Sequence, residues 1–303
     1  MYLIVGATGS LGGGVAKRLL ERGEAVRALV RPASPLRQAG RHTDPGELQR
    51  LGAELVQADL LDPASFEQHL AGVKAVLTTA SGTKRAAPDT TLAVDLHGNA
   101  ALAALAADAG VEHLVHVSAR GAGPEAPPFL RIKWDAEQAL RQQGPRATFV
   151  RPAPFMQDWI GFVIGAQLQG GTRVQLVGKR DPYRTYVHED DVARLLVELL
   201  LGGPPTHERH RTIEFSAEAD TYSGIVRRMA AAAGAPFEVE SVAPGKTIDT
   251  VPEPLASTIT QLLGMMADLR DDTYTTPDLA ERYGFEPRGI DDYMSEMLGA
   301  ARG

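Results

Sequence analysis

The first twenty residues, MYLIVGATGSLGGGVAKRLL, constrain this chain more than any other stretch. Tyr2 to Val5 is a short apolar run of strand formers, and Val15, Leu19 and Leu20 then recur at helical spacing. Between them lie Gly6, Gly9 and Gly12. A turn this tight needs residues that accept positive φ, and a phosphate comes close to the backbone only where no Cβ intervenes. Together with Thr8, Ser10 and Leu11, the glycines form a strand–turn–helix in which a helix starting near Ser10 aims N–H groups and its positive dipole end at a pyrophosphate. With 31 glycines in 303 residues, chance alone produces roughly 0.3 such spacings. The position between a first strand and a first helix therefore carries the reading, and it points to a dinucleotide. Gly13 and Gly14 fall inside the helix, where glycine costs about 1 kcal/mol relative to alanine; they are read as permitting close helix–sheet or cofactor contact.

The alternation continues through residue 151. Strands are expected at Ala25–Val30, Glu54–Gln57, Lys74–Thr79, His113–Val117 and Ala147–Arg151, and helices near Glu47–Leu51, Leu92–Ala109 and Phe129–Gln142, with another starting at Asp62-Pro63. The expected fold class is α/β: a doubly wound parallel (Rossmann) sheet over residues 1–151, followed by a smaller C-terminal α/β substrate lobe over 152–303, with chain exchange between the lobes allowed. In such a sheet the residue ending the second strand selects the cofactor. An acidic residue there would bind a ribose 2′-hydroxyl. This chain offers Arg31, Ser34 and Arg37, which favours NADP, against a plainer role for Arg31 as a solvated strand end. Asp59 and Leu60 close the third strand, where Asp59 serves either an adenine or a local turn. Thr79, Ala80 and Ser81 end the fourth strand, over the middle of the cofactor.

Beyond Pro152 the pattern changes. Phe155, Met156, Trp159 and Phe162 read as core packing or as one wall of a substrate pocket. His188-Glu189-Asp190-Asp191 begins a helix whose dipole suits the acids, and His207–Arg211 reads as a solvated loop. Helices are expected at Tyr222–Ala233 and Ala256–Leu269, the latter carrying Met265, which either covers a ligand or fills a gap. The absence of cysteine excludes disulfides and thiolate chemistry, and no metal site is expected. A net charge of −7 without a basic stripe argues against nucleic acid. No 18-residue apolar run or signal-peptide pattern is present, so a cytoplasmic protein with no membrane partner is expected, as a monomer or homodimer acting on a small molecule.

Several fragments carry a resemblance that spans nearly the whole chain: GATGSLG at Gly6–Gly12, VRALVR ending at Arg31, VDLHGN at Val94–Asn99, AGVEHLVHVSARGA at Ala109–Ala122, RPAPFMQDW at Arg151–Trp159, YVHEDDVA at Tyr186–Ala193 and TPDLAERYGFEPRGIDDY at Thr276–Tyr293. The chain resembles the NmrA-like group of atypical short-chain dehydrogenase/reductases. The resemblance implies an NADP-binding Rossmann domain with a smaller substrate lobe. It also implies one of two occupations, reduction of quinones or of phenolic carbonyls and enones, or regulation through bound NADP without turnover. Lys133, Pro152 and Phe155 join the candidate cofactor contacts, and Phe129, Phe155, Met156, Trp159, Tyr186 and Met265 the candidate substrate pocket.

In the wider superfamily a Ser, a Tyr and a Lys act together, with Tyr and Lys spaced YxxxK. Ser118 and Lys133 occupy matching positions here, but the tyrosine position is Phe129. A phenyl ring donates no proton, and general acid catalysis typically supplies about 10²- to 10⁴-fold in rate. Three repairs are open: Lys133 is the acid, Tyr183, Tyr186 or His188 substitutes, or water does. Plainer readings make Lys133 an exposed helix lysine and Ser118 a strand-end cap. A quinone acceptor eases the difficulty, because hydride transfer leaves a stabilised phenolate-like anion. The expected function is therefore an NADPH-dependent oxidoreductase acting on a small apolar quinone or aromatic carbonyl/enone, with a non-catalytic NADP(H) sensor, or a cyclase, dehydratase or epimerase on the same scaffold, as alternatives.

Overall fold

The computed structural model describes residues 1–31, 42–82, 90–169, 171–267 and 269–302 of the chain. The elements run β1 (Tyr2–Val5), α1 (Ser10–Glu21), β2 (Val26–Val30), α2 (Pro45–Arg50), β3 (Glu54–Gln57), α3 (Pro63–Phe66), β4 (Ala75–Thr78), a π-helical segment Leu92–Gly98, α4 (Asn99–Asp108), β5 (His113–Val117), α5 (Pro128–Gln143) and β6 (Arg146–Pro152). A second π-helical segment, Gln157–Ile164, leads into α6 (Gly165–Leu168), β7 (Arg173–Val177), β8 (Arg184–Tyr186), α7 (Glu189–Leu201), β9 (His210–Phe215), β10 (Glu218–Asp220), α8 (Tyr222–Ala233), β11 (Glu238–Val242), α9 (Leu255–Ala267), α10 (Pro277–Arg282) and α11 (Ile290–Arg302). They form two compact units, one of Met1–Pro152 with Val192–Glu214, the other of Ala153–Asp191 with Phe215–Gly303.

In the first unit a seven-stranded sheet has the order β3-β2-β1-β4-β5-β6-β9. Strands β1 to β6 pair in parallel, with Leu3 opposite both Arg27 and Val76. The order reverses at β1, so a crevice opens beyond the carboxyl ends of β1 and β4. Strands β1, β4 and β5 are buried at every position, the mark of a parallel sheet covered on both faces. Leu3, Val5, Leu29, Phe66, Leu70 and Leu102 form the core of one face.

Three expectations need correction here. The sheet does not end at β6, because β9 from the second half of the sequence docks on its edge, with the Ala147 N–H bonded to the Arg209 carbonyl (3.3 Å) and the Ala153 N–H to the Phe215 carbonyl (2.8 Å). The His207–Arg211 stretch is thus only partly a loop: Arg209 donates to the Gly144 carbonyl and the Arg211 Nε to Thr148 Oγ1 at 3.1 Å, which fixes the new edge strand. The expected single helix from Leu92 opens instead as a π-helix to Gly98. There the Asn99 amide donates to the Val94 and Asp95 carbonyls (3.1 Å each), and a Cβ at Gly98 would lie 2.8 Å from Leu60 Cγ.

In the second unit β7 and β11 pair in parallel and β8 and β10 antiparallel. Their core includes Met156, Ile160, Ile164, Tyr186, Ile225 and Ile259. Helix α8 starts where Thr221 Oγ1 accepts the Gly224 N–H (2.9 Å) and stops at Gly234 in the left-handed region, φ 66°, the capping pattern its sequence predicts. The acids at the start of α7 are structural: Arg288 holds Asp191 through its backbone N–H (2.7 Å) and Asp190 through its guanidinium (2.9 Å).

Candidate active site

The glycine turn lies in the crevice of the first unit. Gly6 has φ +91°, and a Cβ there would fall 2.4 Å from Thr79 Oγ1, so the loops after β1 and β4 touch. A Cβ at Gly12 would lie 2.3 Å from the Gly6 carbonyl oxygen. Gly9 is the N-cap of α1 with extended backbone (φ −77°, ψ 161°), and the first turn has no side-chain cap and no acidic residue. That leaves an uncompensated positive helix end beside backbone that approaches closely because it lacks Cβ atoms, which fits a dinucleotide pyrophosphate. Thr8 and Ser10 are half-buried around it, while the Leu11 side chain turns into the core.

The segment before α2 braces this turn. The Thr43 N–H donates to the Thr8 carbonyl (2.9 Å), and His42 pairs with Gly9 in an antiparallel bridge. Gly13 serves this brace rather than the sheet or a cofactor: a Cβ on it would overlap Thr43 Oγ1 at 1.8 Å. Gly14 has only ordinary contacts, with Ala193 Cβ at 3.7 Å. Arg31 is half-buried at the end of β2, whereas Ser34 and Arg37 lie outside the described residues. The Asp59 carboxylate accepts the Leu61 N–H (2.9 Å), the turn role anticipated as one of its two readings, and Leu60 is a core residue. Thr79, Ala80 and Ser81 are half-buried at the end of β4.

Lys133 is not an exposed helix lysine. It is 5% exposed, and its Nζ sits 2.5 Å from Oδ1 of Asp95, itself fully buried in the π-helical segment. The other oxygen, Oδ2, accepts the Gly82 N–H (2.7 Å) and the Ser81 hydroxyl (3.2 Å). Asn99 anchors the segment, since its Oδ1 accepts the Thr78 hydroxyl at 2.6 Å. Sequence reasoning missed Asp95; the signal available was a carboxylate four residues before Asn99 in an alanine-rich helix. Ser118, 4% exposed, follows β5 with its N–H on the Val150 carbonyl (2.8 Å). Its hydroxyl caps nothing among the described residues. Phe129 is half-buried one turn before Lys133 on α5, and Pro152 is buried at the end of β6.

Two residues before Ser118, and so on the same face of the strand, His116 is buried with no partner for either ring nitrogen among the described residues. Burial, reinforced by the nearby Lys133, pushes its pKa down to about 3. Burial and Arg211 push His113 down to about 4. Between the unfolded value of 6.5 and these folded values the unfolded chain binds protons that the folded chain refuses, so stability is full above pH 6.5 and falls as the pH drops toward 3. Thermal melts at about pH 7 and about pH 5 should show a marked loss on acidification, about 1.4 kcal/mol per histidine for each pH unit below 6.5. His116→Leu, which removes a ring whose nitrogens have no hydrogen-bond partner among the described residues, should lower that dependence and leave the share of His113; an equally steep profile in the variant would assign the acid sensitivity elsewhere.

In the second unit Phe155 is half-buried and bridges Val187. Met156 and Tyr186, expected on a pocket wall, are fully buried in the apolar core, whereas Trp159 is half-buried against Tyr222 and Met265 is 45% exposed. Burial pushes the Tyr186 phenol up, which makes it a poor proton donor. His188 lies between Arg288 (2.9 Å) and Glu296 (3.2 Å), and burial with Arg288 lowers its pKa. Tyr183 is exposed. Among the described residues no helix is long and apolar enough to cross a membrane.

Comparison with known proteins agrees with this architecture. The sequence model of the NmrA-like family matches residues 2–294. A "(4-alkanoyl-5-oxo-2,5-dihydrofuran-3-yl)methyl phosphate reductase" of Streptomyces griseus subsp. griseus is 34% identical over 245 residues, 80% of this chain and 77% of the relative. An NAD(P)H azoreductase of Xenophilus azovorans is 28% identical over 88% of this chain and 87% of its own length. Among solved structures, a Citrobacter sp. triphenylmethane reductase complexed with NADP(H) superposes with a TM-score of 0.75 over 98% of this chain and 99% of its own, at 20% identity, which establishes the shared fold.

Proposed function

This chain belongs to the NmrA-like family, and from that membership and its crevice we propose that it is an NAD(P)H-dependent reductase that prefers NADPH and reduces a small apolar quinone or aromatic carbonyl/enone. The observation that carries the reading is Lys133, a buried ammonium paired with Asp95 in the same unit as the glycine turn. An ion pair this deeply buried is seldom the most stabilising choice for its volume, which supports a functional reason for keeping it. The two curated relatives, both reductases by name, support the same class.

The residues divide the work by their chemistry. Backbone N–H groups at the start of α1, those of Leu11 and Gly12, would hold the pyrophosphate, the Gly9 N–H being already bonded to the Gly6 carbonyl (2.9 Å), and Arg31 favours a 2′-phosphate. When bound, the nicotinamide supplies the hydride. Lys133 Nζ uses one of its hydrogens toward Asp95 and has donors left for the ribose hydroxyls or for the acceptor oxygen, which gains a proton as its ring or carbonyl gains the hydride. The Ser118 hydroxyl, free of protein partners among the described residues, suits orientation of that oxygen. With Phe129 unable to donate and Tyr186 buried and pushed up in pKa, Lys133 or water delivers the proton. An acceptor that forms a stabilised phenolate asks least of them, which is why quinones come first.

Phe129 favours one second reading, an NADP(H)-binding regulator without turnover. A thermal-shift comparison of NADPH with NADH, followed by absorbance assays on a panel of quinones, enones and aromatic ketones, separates the two. NADPH at a hundredfold excess over its Kd should stabilise the protein by about 2.7 kcal/mol over the ligand-free form, NADH at the same concentration should do so less, and at least one quinone should be steadily reduced. Binding with no oxidation across the panel would assign the regulator, and no shift with either nucleotide would remove the cofactor reading itself.

A further inference from the structure

Asp95 is the most heavily engaged carboxylate in the first unit whose role the fold does not already explain. It is fully buried, and three donors from two separate parts of the chain converge on it: Lys133 Nζ of α5 at 2.5 Å, and the Gly82 N–H and Ser81 hydroxyl of the loop after β4 at 2.7 and 3.2 Å. It is presented by a π-helical segment that Asn99 ties to the sheet, by donating to the Val94 and Asp95 carbonyls and by accepting from Thr78 at the end of β4. Local π-helix recurs at functional sites because it re-aims a side chain that regular helix would point elsewhere. A lysine stem carries four rotatable bonds, so an ammonium takes its position largely from the group it pairs with.

We propose that Asp95 is the positioning residue of this site: its carboxylate sets where the Lys133 ammonium stands and locks it to the Ser81–Gly82 loop, so that cofactor seat and proton donor are built as one piece. This rests on the reductase reading. It assigns Asp95 no contact with cofactor or substrate; Asp95 acts through Lys133. Asp95→Asn keeps the shape but only one acceptor oxygen: with that oxygen on the Gly82 N–H, the amide NH2 faces the ammonium, which loses its partner.

The test measures NADPH affinity and the emission of bound NADPH, without need of turnover, for wild type, Asp95→Asn, Lys133→Gln, the double variant and Asp95→Glu. Asp95→Asn and Lys133→Gln should each weaken NADPH about 10- to 100-fold, the range of a charge-assisted hydrogen bond, and alter the emission alike, and the double variant should be no weaker than either. Asp95→Glu, which keeps the charge one methylene further out, should fall between wild type and Asp95→Asn. Losses that multiply in the double variant overturn the inference, as does wild-type affinity and emission in folded Asp95→Asn. Should Asp95→Asn fail to fold, Asp95→Glu decides: an intermediate affinity supports the coupling, and unchanged affinity and emission overturn it. No NADPH binding by wild type would instead defeat the cofactor reading, a separate result from any of these.

Discussion

Replacing Gly12 by alanine is expected to abolish useful NADPH binding, while the same replacement two residues later, at Gly14, leaves it intact. The added Cβ at position 12 would fall 2.3 Å from the Gly6 carbonyl oxygen, 2.8 Å from the Gly6 carbonyl carbon and 2.8 Å from Thr79 Oγ1. The first two are backbone, so the clash cannot be relieved by a rotamer; the turn between β1 and α1 must open. Opening it misdirects the N–H groups at the start of α1 and pushes on the loop after β4. A loss of about 100-fold or more in affinity, about 2.8 kcal/mol, and about 1–3 kcal/mol in stability from overpacking are expected. Gly14→Ala has its nearest neighbours at 3.6 and 3.7 Å and should gain up to about 1 kcal/mol in helix propensity. Titration of NADPH fluorescence and melting curves on both variants check this. Tight binding by Gly12→Ala would remove the turn from the cofactor site.

The second large effect is expected at Lys133. Lys133→Ala should lower NADPH-dependent turnover of an accepted quinone by about 10²- to 10⁴-fold, the usual worth of a general acid. It should also lower stability by about 3–5 kcal/mol, because Asp95 is left as an uncompensated buried charge. The two losses have different origins and must be measured apart, with turnover assayed well below the melting temperature of the variant. Replacing both partners by apolar residues, as in Asp95→Leu/Lys133→Met, should recover part of the stability, since the Gly82 N–H loses its acceptor, and none of the turnover. Full turnover in folded Lys133→Ala would take the lysine out of the mechanism and leave the proton to water.

The elements that carry the Rossmann half were legible because each answers to local chemistry. An apolar run followed by glycine and then a 3.6-residue period specifies β1, the turn and α1; Gly234 marks where α8 stops; of the fully buried strands β1 is a continuous apolar run, whereas β5 carries His113 and His116. What was not legible depends on residues far apart in the chain. The seventh strand is an ordinary polar edge by sequence, and only its bonds to β6 make it part of the sheet. The purpose of Gly13 was misread because its neighbour, Thr43, arrives from thirty positions away.

The sequence by itself determined the fold class and the glycine turn, since these are fixed by residue type and short spacing, and its resemblance to the family singled out Ser118, Lys133 and Phe129 as candidates. Tertiary structure alone decided what those residues are able to do. It buried Lys133 and gave it Asp95, left the Ser118 hydroxyl without a protein partner among the described residues, and buried Tyr186, which pushes its phenol up in pKa. Charge pairing and desolvation are set by neighbours brought together through folding, so the same lysine reads as surface or as site until its surroundings are known.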